Sequence, residues 1–181
     1  MKTQLDILDQ QLSKLRPEYY KQLQPGLSDD EIQALQQQFN VILPEDLIIL
    51  YKWRNGQADD CYEAFVNNST FIPLASALET ATENTSMIGF DFEIENWWHK
   101  DWIPVFHNGG GDLICYDQGG IFTNHPGQLI EFWHADNDRN IISPSLTAFF
   151  DALIAYYKAK QLDEYYEVET LEGYPKRYIV E

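Results

Sequence analysis

A series of short apolar runs in the middle of the chain, separated by glycine-rich or proline-containing links, constrains the fold more than any other feature. The runs are Phe71–Leu74, Trp102–Phe106, Leu113–Asp117, Ile121–Thr123 and the stretch from Gly127 in which Leu129 alternates with Glu131. Short strands joined by tight glycine turns are typical of antiparallel pairing. We therefore predict an antiparallel sheet. Because Pro104 cannot donate a ladder hydrogen bond, Trp102–Phe106 should lie at an edge or a bulge.

The chain begins with helical patterns. Leu5, Leu8, Leu12 and Leu15 recur every three or four residues, so they share one helical face that should end near Pro17. Ser28 followed by Glu31 forms a capping box, which predicts the start of a second long helix. A further helix is expected from Leu43-Pro44, with Asn55-Gly56 as its stop.

The last strong element is also a helix. Ser143 is the predicted cap, Pro144 the first helical residue, and the residues from Leu146 to Tyr157 supply an apolar face. A weaker helix is expected over residues 75–82, and Tyr178–Val180 could add a short strand. The order of helices, then strands, then a helix predicts a single α+β domain with an antiparallel sheet flanked by helices.

The charge of the chain narrows the classes of partner. The 181 residues carry 29 acidic and 12 basic side chains, a formal net charge of -17. Binding to nucleic acid or to an anionic membrane uses an excess of Lys and Arg, so neither partner is expected. The charge either provides solubility alone or steers a basic protein toward the surface. No signal peptide or membrane span is recognisable, and Cys61 and Cys115 lack CxxC spacing, so a cytoplasmic protein with free thiols is expected.

Four blocks of residues follow one another in a specific order across residues 27–155. They are Leu27–Ile32 with Leu43–Asp46, Leu50-Tyr51 and Asn55-Gly56; Phe71–Leu74; Trp102–Phe106 leading through Gly109–Asp112 to Cys115–Asp117; and Gly127–Ile130 with His134 and Ser143–Leu146. Each block is weak alone, but the ordered set resembles the Smi/Knr-type domain of the SUKH superfamily. The resemblance implies an α+β fold and a role in protein binding. It divides the chain into an N-terminal helical extension (1–26), a SUKH-like domain (27–160) and an acidic tail that packs on the domain (161–181).

Several patterns invite a catalytic or metal-binding interpretation and fit it poorly. Gly109–Gly111 is followed by Asp112 and a strand, so it lacks the Lys-Ser/Thr and the helix of a phosphate loop. Asp136, Asp138 and Asn140 have alternate spacing, but the glycine and glutamate of a calcium loop are missing, which favours a polar loop.

The histidine and cysteine patterns give no stronger indication of a catalytic or metal-binding site. The four histidines (His99, His107, His125 and His134) show no close ligand spacing, although His107 and His134 could meet near Cys115 if their strands are neighbours. Cys115 lies within an apolar strand, where it is expected to be a small buried side chain. We therefore expect no enzyme activity, no cofactor and no metal.

One segment carries a functional prediction. Acidic and apolar side chains alternate from Asp91 to Asn96, and two tryptophans follow. Exposed acids beside large aromatics would suit recognition of a basic protein, because aromatic side chains often anchor interfaces. The candidate partner-binding residues are Asp91, Glu93, Glu95, Trp97, Trp98 and Asp101. The alternative, slightly favoured by the pattern, is a strand or loop that turns Phe92, Ile94 and Trp97 inward and its acids to water.

Three functions remain open at the level of sequence. The leading hypothesis is an immunity protein that neutralises a cognate toxin, such as a nuclease, by covering its active or substrate site with acidic side chains. This follows from the SUKH resemblance together with the net charge of -17. The second is a regulatory or scaffold module of the cell-wall-regulator type, without a toxin partner. The third, a hydrolase or metal-dependent enzyme, is not required by any pattern. The sequence leaves the oligomeric state open.

Overall fold

A computed structural model describes residues 1–159 and 162–181, so the predicted boundary at 160/161 lies outside the described residues. Over these residues the helices are α1 (Lys2–Leu15), α2 (Pro17–Tyr20), α3 (Asp29–Phe39), α4 (Glu45–Trp53), α5 (Leu74–Ser86) and α6 (Leu146–Ala159). The strands are β1 (Leu23–Pro25), β2 (Arg54–Gln57), β3 (Thr70–Phe71), β4 (Trp102–His107), β5 (Leu113–Asp117), β6 (Gln128–Phe132), β7 (Asp138–Ser143) and β8 (Lys176–Ile179). Among these residues, no helix combines the length and the apolar character that crossing a membrane requires.

The main sheet has six antiparallel strands in the order β3-β4-β5-β6-β7-β8, and β1 pairs separately with β2. Each strand of the main sheet therefore lies beside its neighbour in sequence. The β4–β5 register shifts between Pro104 and Phe106, which confirms a bulge at the proline. The single α+β domain with an antiparallel sheet and flanking helices agrees with the predicted fold class.

Both faces of the main sheet are buried. On the first face, Ile103, Ile114 and Leu129 belong to one core together with the inward side chains of α6 and of α1, which packs on α6. The second face presents Leu113, Cys115, Ile130, Phe132 and Ile141, which form a separate core. Because side chains alternate across a strand, Ile114 and Cys115 serve opposite cores although they are adjacent in sequence.

The N-terminal helix and the C-terminal strand are integral to this packing. Leu5, Leu8 and Leu12 of α1 are almost completely buried, and α1 packs against α6. At the other end, β8 extends the main sheet by pairing with β7, so that Tyr178 lies opposite Arg139.

Several local signals produced the predicted elements. Ser28 Oγ accepts a hydrogen bond from the Glu31 amide at 3.3 Å, and Glu31 Oε2 accepts from the Ser28 amide at 2.8 Å. Both halves of the capping box are therefore present. At α6 the expected cap is wrong by two residues: Ser145 Oγ, rather than Ser143 Oγ, accepts from the Ala148 amide at 3.1 Å. Ser143 is buried at the end of β7.

Three other predictions are wrong, each because of contacts that the local pattern does not reveal. Asn55-Gly56 does not stop α4 but lies inside β2, and Gly56 is required there since a Cβ would come within 2.4 Å of the Pro73 nitrogen. Ile121–Thr123 forms a turn, since the buried Asp117 carboxylate accepts hydrogen bonds from the amides of residues 119–121. The polar stretch Asp138–Asn140, predicted to be a loop, begins strand β7.

Candidate protein-interaction surface

The candidate partner-binding residues fall in the connection between α5 and β4. We call residues 87–101 the acidic segment; it contains turns but no regular strand. Its first part folds back on itself, because the amides of Phe92 and Gly89 donate to the carbonyls of Met87 (3.0 Å) and Phe92 (2.9 Å). The segment lies over the second face of the sheet, where Phe92, Trp97 and Trp98 join the second core.

The three carboxylates at the front of the acidic segment face solvent. Asp91, Glu93 and Glu95 are exposed, and none of them makes a hydrogen bond or ion pair within the described part of the chain. Asp101 is half-buried and pairs with Lys100 at 2.7 Å. The first three are therefore available to a partner, whereas Asp101 already has a neighbouring cation.

Three apolar side chains of the acidic segment are also exposed, contrary to the inward orientation expected for Ile94. Phe90 is 78% exposed, Ile88 46% and Ile94 39%. The sequence analysis did not select Ile88 or Phe90. The alternation of acidic with apolar residues wrongly predicted that Ile94 faces inward. Singly exposed apolar residues need no explanation. Here Ile88 and Ile94 line one surface concavity together with Glu93 and Glu95, and the exposed Phe90 lies between the two isoleucines in sequence. We call these exposed apolar and acidic side chains the patch; grouped exposed apolar residues of this kind often mark interaction sites.

The two tryptophans hold the segment in place. Trp98 is 2% exposed, stacks edge-to-face on Trp102 and Phe132, and donates from Nε1 to Thr85 Oγ1 at 3.2 Å. Because it is buried, Trp98 cannot contact a partner directly, which corrects its inclusion among the candidate contact residues. Trp97 is half-buried and leaves part of its ring at the surface.

A buried arginine fixes the end of the segment to the sheet. Arg139 of β7 is 0% exposed and donates from Nε and Nη2 to the carbonyl of Trp97, at 3.1 and 2.7 Å. Its Nη1 donates to the carbonyls of Asp136 and Asp138, both at 2.7 Å. Its guanidinium also lies 4.8 Å from the centres of the Trp97 and Phe132 rings.

The burial of Arg139 is costly, and its bonds offset that cost. Burial lowers the pKa of the guanidinium from 12.5 to about 10. Main-chain carbonyls, instead of a carboxylate, supply the acceptors of its hydrogen bonds. A planar group with five donors can satisfy several carbonyls at once, which an ammonium group cannot do from one position. Arg139 therefore clamps the acidic segment, the 133–138 connection and β7 together.

The other predicted chemical patterns have structural roles. Burial raises the pKa of the Cys115 thiol well above its ordinary value, as expected for an inert core cysteine. Asp112 accepts hydrogen bonds from Asn108 and His134. Burial opposes ionisation of Asp112, but these bonds outweigh it and lower the pKa of the carboxyl. Within the described residues, no group of three or more His, Cys, Asp or Glu side chains is arranged to hold a metal ion.

Comparison with known families agrees with the fold. The family model described as SMI1 / KNR4 family (SUKH-1) matches residues 26–152 of the chain. The chain belongs to this family. The match confirms the SUKH resemblance and includes the whole acidic segment, β4–β7 and the first half of α6. Residues 1–25, with the buried face of α1, and residues 153–181, with β8, lie outside the match although both pack into the same domain. No curated protein matches the chain.

Proposed function

We propose that this chain is a non-catalytic, cytoplasmic binding domain that neutralises a cognate protein toxin by direct contact through the acidic segment. The observation that carries the proposal is the patch itself: exposed Ile88, Phe90 and Ile94 interleaved with Asp91, Glu93 and Glu95, on a segment clamped by Arg139. Membership of the SUKH family supports protein binding as the general role.

The two kinds of side chain in the patch have different tasks. The unpaired carboxylates steer a basic partner, raising the association rate in a salt-dependent manner. The apolar side chains supply affinity by leaving water when they contact the partner, and Phe90, the most exposed of the three, is the expected anchor. The clamp reduces the entropy lost on binding, because the segment is already ordered. On a nuclease toxin, the acids would occupy the basic surface that otherwise holds the nucleic-acid substrate.

Co-expression with the product of the adjacent gene tests the proposal. We expect a one-to-one complex and rescue of growth from that product's toxicity. No complex and no toxicity to rescue would contradict the immunity role and favour the regulatory module. No nucleic acid or membrane is expected to copurify with the chain.

Two variants test the surface. Phe90→Ala should raise the dissociation constant by about 30-fold, the effect of losing an interface anchor worth about 2 kcal/mol. Ile42→Ala is the matched control, because Ile42 is 87% exposed and lies elsewhere on the chain. An equal effect of the two substitutions would show that Phe90 is not an anchor.

The carboxylates need a separate comparison. The triple variant D91N/E93Q/E95Q should slow association by about tenfold at low salt and by much less at high salt. The triple variant E167Q/E169Q/E172Q removes the same charge from exposed tail residues and should change the rate little. If both triple variants slow association equally, the total charge of the chain, and not the acidic segment, steers the partner.

A further inference from the structure

A concave surface lies beside β3, and none of its lining residues belongs to the acidic segment. It encloses about 530 Å³ and is bounded by the β2–β3 connection, the turn after β4, the start of α5 and tail residues 164–165. We call it the cleft. Its volume lies within the range of sites that bind small ligands or short peptide segments, and it exceeds what one side chain would fill.

The cleft is lined by acids and aromatic rings. Asp59, Glu63 and Glu164 line it together with Tyr62 and Tyr165, and among the described residues no lysine or arginine does so. Tyr62 is 87% exposed and Tyr165 46% exposed, so both rings can meet an incoming group. His107 also lines the cleft, and because burial lowers the pKa of its imidazole it adds no positive charge at neutral pH.

The carboxylates differ in their present partners. Asp59 and Glu164 make no hydrogen bond or ion pair with any residue that the structure describes. Glu63 accepts from Arg16 at 2.7 Å and from Tyr166 at 3.1 Å, both on Oε1, which leaves Oε2 without a donor among the described groups. The carboxylates of Asp59 and Glu164 are therefore available to a cation at the cleft, and Glu63 keeps one oxygen without a donor among the described groups.

The chain already binds one of its own arginines, Arg16, with the same kinds of group, and that site shares Glu63 with the lining of the cleft. The guanidinium of Arg16 lies 3.4 Å from the centre of the Tyr166 ring and 3.9 Å from that of Tyr19. Its Nη2 donates to Glu63, a residue that also lines the cleft. A guanidinium between two tyrosine rings is thus held by a carboxylate and by the main-chain carbonyls of residues 64 and 65. The lining of the cleft offers the same kinds of group, a carboxylate and tyrosine rings, in Asp59, Tyr62 and Tyr165.

From this arrangement we propose that the cleft is a second contact site, which receives an arginine side chain and its adjoining residues from the protein partner. The planar guanidinium can lie on a tyrosine ring while donating to a carboxylate, and it sheds water more readily than the lysine ammonium. The volume of the cleft leaves room for the neighbouring residues of the partner's chain. The choice of a protein as occupant rests on the proposed function.

The test needs no knowledge of the partner. The full chain, labelled with ¹⁵N, is titrated with the peptide acetyl-Gly-Arg-Gly-amide and separately with the same peptide carrying citrulline. Citrulline has nearly the shape of arginine without its charge. We expect amide shifts in residues 58–64, 107–109 and 164–165, a dissociation constant on the order of millimolar for arginine, and at least tenfold weaker binding for citrulline.

Two variants connect the response to the cleft. D59N/E164Q should weaken arginine binding by about tenfold, and Tyr62→Leu by about threefold. E79Q/E83Q is the matched control, since it removes two exposed carboxylates of α5 that do not line the cleft, and it should bind the peptide as the unmodified chain does. All five substituted side chains are exposed, so the substitutions should leave the core intact, and unchanged spectra outside the cleft will verify the fold.

Three results would overturn the inference: no shifts in the cleft, equal responses to arginine and citrulline, or equal binding by D59N/E164Q and E79Q/E83Q. Any of them could coexist with a toxin complex that depends on Phe90, in which case the proposed function stands and the cleft alone is excluded. Conversely, arginine binding in the cleft without a toxin complex would contradict the immunity role, and the cleft would still be a peptide-binding site.

Discussion

Replacing Arg139 by methionine tests whether one buried guanidinium holds the acidic segment on the sheet. Methionine retains an unbranched apolar chain between the Trp97 and Phe132 rings but has no donor. In the unmodified chain a guanidinium nitrogen lies 2.7 Å from each of the carbonyls of Trp97, Asp136 and Asp138. These three carbonyls lose their hydrogen bonds in the variant. The substitution therefore separates the clamp from the packing around it.

The expected loss of stability is the difference between two opposing contributions. Three well-formed bonds to a charged donor contribute about 2 kcal/mol each, or about 6 kcal/mol together. Burial lowers the pKa of Arg139 from 12.5 to about 10, a cost of about 3 kcal/mol that methionine does not incur. The net destabilisation is about 3 kcal/mol, which lowers the melting temperature by about 6–12 °C in a domain of this size.

Urea unfolding and hydrogen exchange measure the two consequences separately. Unfolding gives the global loss, and exchange over residues 87–101 reports whether the acidic segment opens before the sheet. Lys100→Met is the control, because it removes the same charge from a lysine whose side chain is 66% exposed and paired with Asp101. The control should change stability by less than about 1 kcal/mol.

The reasoning is refuted if Arg139→Met unfolds within about 0.5 kcal/mol of the unmodified chain and leaves exchange in the acidic segment unchanged. That result would mean that Trp98 and Phe92 suffice to dock the segment and that the bonds of Arg139 only compensate its own burial. A large loss of stability with normal exchange in the segment would limit the clamp to β7 and the 133–138 connection.

Two further predictions concern single side chains. Burial raises the pKa of Glu131 above its value in the unfolded chain. The stability that the protonated carboxyl contributes is therefore fully present below the unfolded pKa, and it is lost as the pH rises through the pKa of the folded state. Glu131→Gln, which can still accept from Asn140, should therefore raise the melting temperature at pH 7.5 but not at pH 4; an equal gain at both values would contradict this. Ser28→Ala removes the cap bond to the Glu31 amide and should cost about 1 kcal/mol in urea unfolding, whereas Ser13→Ala on the exposed side of α1 should cost less than half of that.

Elements whose signals lie within a few residues could be predicted from the sequence. The leucine spacing of α1 and the capping box of α3 act through contacts inside one or two helical turns, so they hold wherever the helix packs. Strand β5 was predictable because both faces of the sheet are buried, which demands a continuous apolar run such as Leu113–Tyr116. These local signals were sufficient for the α+β class.

The candidate site was only partly predictable, because burial in a segment without regular structure has no period. The sequence drew attention to the acids and tryptophans of residues 91–98, but an alternating pattern could not tell that Phe90 would be 78% exposed and Trp98 2% exposed. The burial of Trp98 depends on the position of Phe132, which is distant from it in sequence.

Polar residues placed in the interior were the least predictable part. The sequence of Asp138–Asn140 predicts a loop, because isolated charges rarely enter a sheet. In the structure this stretch is part of β7, where Arg177 pairs with Asp138 and main-chain carbonyls accept hydrogen bonds from Arg139. The cleft, likewise, gathers residues from the 58–64, 107–109 and 164–165 regions. The sequence by itself determined the helices, the central strands and the acidic character of the chain, since these depend on neighbouring residues. Tertiary structure decided which acidic side chains and aromatic rings stay at the surface, because the contacts and hydrogen bonds of the buried side chains come from residues far apart in sequence.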